Sequence, residues 1–104
     1  MGAMDRRTSS RVRVDIPVEE HTAGALYFHR AADLSDDGIY LAGTLPHPPG
    51  TEIELDLSLV GAPLRLRGRV AGGRRTLGMG VRFVDVSADA RLQLSEYLAL
   101  RRLS

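Results

Sequence analysis

The chain has 104 residues, of which 43% are hydrophobic and 26% are charged, values that suit one globular domain with a single core. It contains no cysteine, so disulfides and cysteine metal sites are excluded. Its formal net charge of +1 is too small for bulk attraction to nucleic acid, and it has no run of about 18 apolar residues that would predict a membrane-spanning helix.

The N-terminal residues predict a division of the chain into three parts. We interpret residues 1–3 as an expression scar and residues 4–10, which are polar and arginine-rich, as a flexible arm. Residues 11–104 are expected to form a single domain. No basic segment leads into an apolar stretch, and the absence of cysteine fits a reducing compartment, so the expected location is the cytoplasm.

Alternation of apolar and polar residues predicts six strands. The pattern begins at Arg11, and from there Val12, Val14, Ile16 and Val18 point one way while the residues between them point the other way. Gly- and Pro-containing stretches separate this segment from five later ones. The predicted strands are residues 11–18, 25–32, 39–42, 52–60, 64–70 and 77–84.

The fourth and fifth predicted strands form the clearest hairpin. Carboxylates lie on the outer face of the fourth strand, and Arg65, Arg67 and Arg69 lie on the outer face of the fifth. Opposite charges that face each other across a hairpin stabilise it by roughly 0.2–1 kcal/mol per pair. We therefore interpret these arginines as partners of the carboxylates and not as a nucleic-acid surface.

A helix is predicted over residues 88–101. The hydroxyl of Ser87 suits an N-cap, and Asp89 suits the positive end of the helix. Six short strands followed by one helix predict a mainly β fold, a six-stranded antiparallel β-barrel with one C-terminal α-helix. Phe28 and Phe83 are expected to be buried in this barrel.

No pattern in the sequence indicates catalysis. His21, His29 and His47 lie in unrelated segments, and we interpret them as surface or loop residues. The acidic residues at 33–37 lack the length and the distal glutamate of a calcium loop. We therefore expect no metal site, no cofactor and no catalytic residue, and the chain is not expected to be an enzyme.

A polar turn with the sequence Asp-Leu-Ser-Asp-Asp-Gly occupies residues 33–38, between the second and third predicted strands. Asp and Ser side chains bond to nearby backbone N–H groups, and Gly38 is expected to supply a positive φ. A second short pattern, Arg-Thr-Ser-Ser-Arg, lies upstream at residues 7–11. Its two arginines project from one side of an extended arm, about 13 Å apart at ~3.3 Å per residue.

These two patterns resemble the signature of the PilZ domain, a family of small bacterial β-barrels that bind the second messenger cyclic di-GMP. Arg-x-x-x-Arg is followed about twenty residues later by Asp-x-Ser-x-x-Gly, in the order found in that family. Gly-Met-Gly-Val-Arg-Phe at residues 78–83 is also similar to a strand near the end of PilZ domains. The resemblance covers the chain from Arg6 to about Tyr97.

The resemblance implies a binding site for cyclic di-GMP. Arg7 and Arg11 would contact guanine edges and phosphates, Asp33 and Ser35 would bond to the other guanine edge and nearby groups, and Gly38 would keep the turn open. The chemistry of the ligand agrees, because an arginine fork fits guanine O6 and N7 or phosphate oxygens. A carboxylate in turn suits the N1–H and N2–H₂ edge of guanine.

Arg6 is a further candidate ligand-binding residue. Two intercalated cyclic di-GMP molecules would gather four phosphodiester charges, which a third arginine could offset.

The predicted function is that of a bacterial cyclic di-GMP receptor or adaptor that signals through a protein partner, without DNA or RNA. One alternative is a PilZ-fold interaction module that works without nucleotide. Another is a small barrel for single-stranded nucleic acid, although aromatic stacking residues are only 5% of the chain.

Overall fold

The fold is known from a computed structural model that describes residues 11–60, 62–71 and 77–103. Six strands and one helix follow one another along the chain. Their bounds are β1 (Val12–Thr22), β2 (Ala25–Leu34), β3 (Gly38–Ala42), β4 (Glu52–Ser58), β5 (Pro63–Val70), β6 (Gly78–Val84) and α1 (Ala88–Leu103).

The six strands close into one antiparallel barrel in the order β1-β2-β3-β6-β5-β4. Pairing of β1 with β4, from Val18 opposite Leu57 to His21 opposite Glu54, closes the ring. The predicted mainly β architecture, a six-stranded antiparallel barrel with a C-terminal helix, is therefore confirmed.

Strict alternation in β4 and β5 shows how the barrel encloses its core. Ile53, Leu55 and Leu57 of β4 are buried, whereas the residues between them reach the surface. Each such side chain stabilises the fold by roughly 1.5–3 kcal/mol relative to an exposed position. The other strands and the helix supply the rest of this core, including Val18, Leu34, Ile39, Leu41, Leu64, Leu66, Val70, Met79, Val81, Leu94 and Leu98.

The outer face of the β4–β5 hairpin carries the ion pairs that its sequence predicted. Arg65 Nε lies 2.7 Å from Asp56 Oδ1, and Arg65 Nη2 lies 2.8 Å from Asp56 Oδ2. Four residues further along the hairpin, Arg69 Nη2 lies 2.8 Å from Glu52 Oε2. Because these arginines bond to neighbouring carboxylates, the hairpin does not present an unbalanced basic surface.

The helix α1 begins where the sequence indicates. The hydroxyl of Ser87 accepts a hydrogen bond from the backbone N–H of Ala90, with 3.1 Å between the two atoms, which is the N-cap arrangement. Ala90, Leu94 and Leu98 form the buried face that packs on the barrel. The helix continues to Leu103, two residues beyond the predicted end, with arginines in the last turn that suit its negative end.

The hairpin of β1 and β2 is longer than predicted. Residues 19–22 were expected in a connection, but they continue β1, and Thr22 pairs with Ala25. Only two residues form the turn, Ala23 with a φ of 50° and Gly24 with a φ of 80°. Two successive positive φ values are typical of the tight turns that match strand twist, so the strands pair up to the turn itself.

Phe28 contradicts its expected position in the core. Its side chain is 73% exposed, whereas Phe83 is 8% exposed and packs inside as predicted. Leu26, which shares the Phe28 face of β2, is also exposed. In this part of β2 the inward face belongs to His29 and to Tyr27, which is still 41% exposed, because the pairing with β1 places them opposite the buried Val18 and Glu20.

Candidate functional site

The Asp-Leu-Ser-Asp-Asp-Gly segment is divided between two strands and a short turn. β2 extends through Leu34 and β3 begins at Gly38, so Asp33 belongs to a strand and the reversal is confined to residues 35–37. A shift in strand register between Ala31 and Asp33 lies just before it. Asp33 is therefore held on the sheet and not on a loop.

Ser35 is the residue that shapes the turn. Its backbone N–H donates to the carbonyl oxygen of Gly38 at 2.9 Å, and its Oγ accepts from the N–H groups of Asp37 and Gly38, each at 3.2 Å. The residue is only 3% exposed. Its hydroxyl thus satisfies the backbone of the turn, and the contact with ligand implied for Ser35 stays a prediction.

Gly38 is required for a reason other than the one expected. The predicted positive φ is wrong, because Gly38 is not among the glycines with left-handed backbone conformation. A Cβ at this position would instead lie 2.5 Å from the carbonyl oxygen of Val81 on β6. The neighbouring carbonyl of Asp37 accepts a hydrogen bond from the N–H of Phe83 at 2.8 Å. Close packing of the turn against β6 therefore excludes a side chain.

Arg11 connects the two predicted motifs. Its Nη1 lies 2.6 Å from Oδ1 of Asp33, although the residues are 22 positions apart. Their side chains are 58% and 30% exposed, so the pair lies on the outer surface of the barrel. The structure therefore brings together Arg11, Asp33 and the turn of Ser35 and Gly38. Arg6 and Arg7 lie outside the described residues.

A buried polar cluster was not predicted from the sequence. The Glu20 side chain is fully buried, and its Oε1 and Oε2 lie 2.7 Å from His29 Nε2 and 2.6 Å from His47 Nε2, respectively. Oε2 also accepts a hydrogen bond from the Thr22 hydroxyl at 2.5 Å. His29, 6% exposed, is thus an interior residue and not the surface residue expected.

The charge of Glu20 is maintained by these hydrogen bonds. Burial by itself raises the pKa of Glu20, but the bonds from Thr22, His29 and His47 outweigh it and hold the pKa below its ordinary value. The inward residues of β1 alternate with outward ones, so the next inward position after Val18 is Glu20, two residues further along the strand. What the pattern could not indicate was that histidines from β2 and from the β3–β4 loop would meet it.

One group of side chains on the outer face has donor atoms close enough for a metal ion. Single ligand atoms of Glu19, His21 and Asp56 all lie within 4.8 Å of one another. However, Arg65 bonds to both carboxylate oxygens of Asp56, and these bonds lower the pKa of Asp56. The geometry is that of an ion-pair network in which a guanidinium already balances the carboxylates.

A cleft of about 340 Å³ lies at the β1–β2 turn beside β4 and β5. It is lined by His21, Thr22, Ala23, Glu52, Ile53, Glu54 and Arg67. None of these residues belongs to the two motifs, and Arg11 and Asp33 lie at the opposite end of the β1–β2 hairpin. The candidate site is therefore an open surface across strands and not this cleft.

Comparison with known families identifies this architecture. The family model of the PilZ domain matches residues 5–100. The chain therefore belongs to the PilZ domain family. No curated protein sequence matches it. Within the described ranges, no helix is long and apolar enough to cross a membrane.

Solved structures share the fold at low sequence identity. The inhibitor of motility MotI (DgrA) of Bacillus subtilis superposes with a TM-score of 0.83 at 17% identity, over 96% of this chain and 53% of that one. The PilZ domain of YcgR from Escherichia coli with c-di-GMP gives 0.75 at 16% identity, over 95% and 94%. The MrkH–c-di-GMP complex of K. pneumonia gives 0.80 at 19% identity, over 96% and 54%. The chain thus spans about half the length of MotI and MrkH.

Proposed function

We propose that this chain is a receptor domain for cyclic di-GMP. The single observation that carries the proposal is the 2.6 Å contact between Arg11 Nη1 and Asp33 Oδ1, which joins one residue of each motif on one surface. Membership of the PilZ family supports it, as does the similarity in fold to YcgR and MrkH, whose solved structures contain c-di-GMP.

The proposed site combines two kinds of contact. The guanidinium groups of Arg7 and Arg11 bind guanine O6 and N7 or phosphate oxygens through paired hydrogen bonds. The Asp33 carboxylate accepts from the N1–H and N2–H₂ groups of guanine. Arg6 adds a third positive charge beside the phosphodiesters. The turn at residues 35–38 holds Asp33 and its backbone in position, since Ser35 and Gly38 fix its shape.

Signalling is proposed to follow from closure of residues 4–10 over the nucleotide. Contacts of Arg6 and Arg7 with phosphate or guanine would place this segment across the end of the barrel where Arg11 precedes β1. The covered nucleotide and the segment would together form a new surface, which a protein partner recognises. The chain then acts as a cytoplasmic adaptor that catalyses no reaction.

A calorimetric titration with cyclic di-GMP tests the proposal directly. We expect a dissociation constant in the micromolar range or below, which corresponds to about −8 kcal/mol or more favourable. GTP and cyclic AMP should bind far more weakly. If millimolar cyclic di-GMP produces neither heat nor amide chemical-shift changes, the chain is not a receptor, and a PilZ-fold interaction module that works without nucleotide becomes the better description.

Limited proteolysis tests the closure step separately. Trypsin cleaves after arginine, so Arg6 and Arg7 offer cleavage sites within the proposed closing segment. We expect saturating cyclic di-GMP to slow cleavage there more strongly than cleavage at the arginines of β5, which are paired in the barrel and become accessible only when it unfolds. Equal rates at Arg6 and Arg7 with and without a nucleotide that is shown to bind would contradict closure but not binding.

A further inference from the structure

Tyr40 lies beside the proposed site but outside both motifs. In the strand register Tyr40 of β3 faces Asp33 of β2 on one side and Gly80 of β6 on the other, and Asp33 in turn faces Arg13 of β1. Directly opposed residues of antiparallel strands project from the same side of a sheet. Arg13, Asp33, Tyr40 and Gly80 therefore form a row across four strands on the outer surface of the barrel.

The ring of Tyr40 lies along the sheet and does not stand away from it. Its hydroxyl donates a hydrogen bond to the carbonyl oxygen of Leu77, 3.4 Å away, at the start of β6. A Cβ at Gly78 would overlap the phenol group, so the ring crosses directly over this glycine. The ring thus packs against the backbone at the start of β6, and Tyr40 as a whole is half-buried.

We propose that Tyr40 is a stacking platform for a guanine base of cyclic di-GMP, and that Gly78 makes the platform possible by leaving room for the ring. The inference rests on the proposed function and adds a contact that neither motif contains. Purine bases stack on flat aromatic faces, and such contacts are tolerant of base identity because every base has a π-face. Tyr40 would therefore contribute affinity, and Asp33 the preference for guanine.

The distance between the two residues suits this division. Opposed residues of paired strands lie about 4.5–5.5 Å apart at Cα. The ring itself leans toward β6, so a guanine stacked on it would extend back across β3 to present its edge to the carboxylate of Asp33. Arg11, bonded to Oδ1 of Asp33, lies on the far side of that carboxylate and holds it in place. The Tyr40 ring, the Asp33 carboxylate and the Arg11 guanidinium thus belong to β3, to β2 and to the residue that precedes β1, respectively.

Three variants test the platform by calorimetric titration with cyclic di-GMP. Tyr40→Leu should weaken binding about 5- to 150-fold, the equivalent of the ~1–3 kcal/mol measured for base–aromatic stacking. Tyr40→Phe keeps the ring and should bind within about threefold of the wild type. Tyr27→Leu removes a tyrosine ring that is more exposed than that of Tyr40, 41% exposed at the other end of β2, and should leave the affinity unchanged.

A measurement on the wild type makes the test independent of how the variants fold. In the complex, nuclear Overhauser effects should connect the ring protons of Tyr40 with guanine protons, and the ring signals should move by ring-current shifts. Wild-type affinity in a folded Tyr40→Leu, or cyclic di-GMP bound without contacts to the Tyr40 ring, would overturn the platform and leave the receptor proposal intact. Failure of the wild type to bind at all would overturn the receptor proposal itself.

Discussion

Arg11 and Asp33 form an Arg–Asp contact of 2.6 Å between residues 22 positions apart, on the surface where both motifs meet. Exposed pairs of this kind stabilise proteins by only about 0–1 kcal/mol, because water and salt screen the charges. The contact is therefore better suited to presenting two ligand-binding groups than to holding the barrel together. Loss of either residue should affect binding more than folding.

Arg11→Ala should reduce cyclic di-GMP affinity by roughly 1–3 kcal/mol, the range for a paired arginine–guanine contact. The free energy of unfolding should change by less than about 1 kcal/mol. Arg65→Ala is the matched control, since it also removes an Arg–Asp pair, and Arg65 is 59% exposed against 58% for Arg11. Equal loss of nucleotide affinity in both variants would place the site elsewhere on the barrel.

Gly38→Ala should destabilise the fold, because its Cβ would meet the Val81 carbonyl oxygen at 2.5 Å. Forced displacement in a packed region costs about 1–3 kcal/mol. Gly80→Ala is the matched control in a neighbouring strand, where the nearest atom to a new Cβ is the Ala71 Cβ at 3.9 Å. Chemical denaturation should show a change within about 0.5 kcal/mol for Gly80→Ala. If the two variants unfold at the same denaturant concentration, the turn at 35–38 does not depend on its close approach to β6.

Arg6 leads to a prediction about stoichiometry. If a third arginine beside Arg7 and Arg11 offsets the four phosphodiester charges of two intercalated ligands, the wild type should bind two cyclic di-GMP molecules per chain. Arg6→Leu should shift the titration toward one equivalent, whereas Arg67→Leu on β5 should leave it at two. A wild-type titration that saturates at one equivalent, at concentrations well above the dissociation constant, would assign Arg6 no part in binding.

Most of the barrel follows from local patterns in the sequence, as β4 illustrates. The alternation of Ile53, Leu55 and Leu57 with charged residues predicts a half-buried strand, and the structure agrees because a strand has a strict two-residue period. The same logic failed for Phe28, since hydrophobicity alone does not say which face of β2 turns inward. That choice is made by the register with β1, which no local pattern contains.

The candidate site was predictable only in part for a similar reason. The two motifs were enough to select Arg11, Asp33 and Ser35. The steric reason for glycine at position 38, however, is a carbonyl oxygen of β6 more than forty positions away in sequence. Tyr40 carries no motif, and its position beside Asp33 follows from a register shift between Ala31 and Asp33. Long-range pairing, which spacing along the chain does not encode, determines both.

The buried Glu20 makes stability depend on acid pH. At neutral pH, Glu20→Gln should destabilise the fold by about 1–3 kcal/mol, because an amide N–H₂ would replace an oxygen that accepts from His47, Thr22 or His29. Although burial alone raises the pKa of Glu20, the hydrogen bonds hold it below the ordinary value of 4.5. A lowered pKa in the folded state means that the ionised carboxylate stabilises the fold fully above about pH 4.5 and progressively less as the pH falls through the folded-state pKa.

Urea denaturation of the wild type and Glu20→Gln from pH 7 to pH 3 measures this dependence. The difference in unfolding free energy between the two proteins should shrink as the pH falls below about 4.5 and the wild type loses the contribution of its carboxylate. Glu19→Gln makes the same change at the next residue, on the outer face, where the carboxylate is 49% exposed. That control should stay within about 0.5 kcal/mol of the wild type at neutral pH. A wild-type advantage over Glu20→Gln that persists unchanged to pH 3 would show that the charge of Glu20 is not what the cluster stabilises.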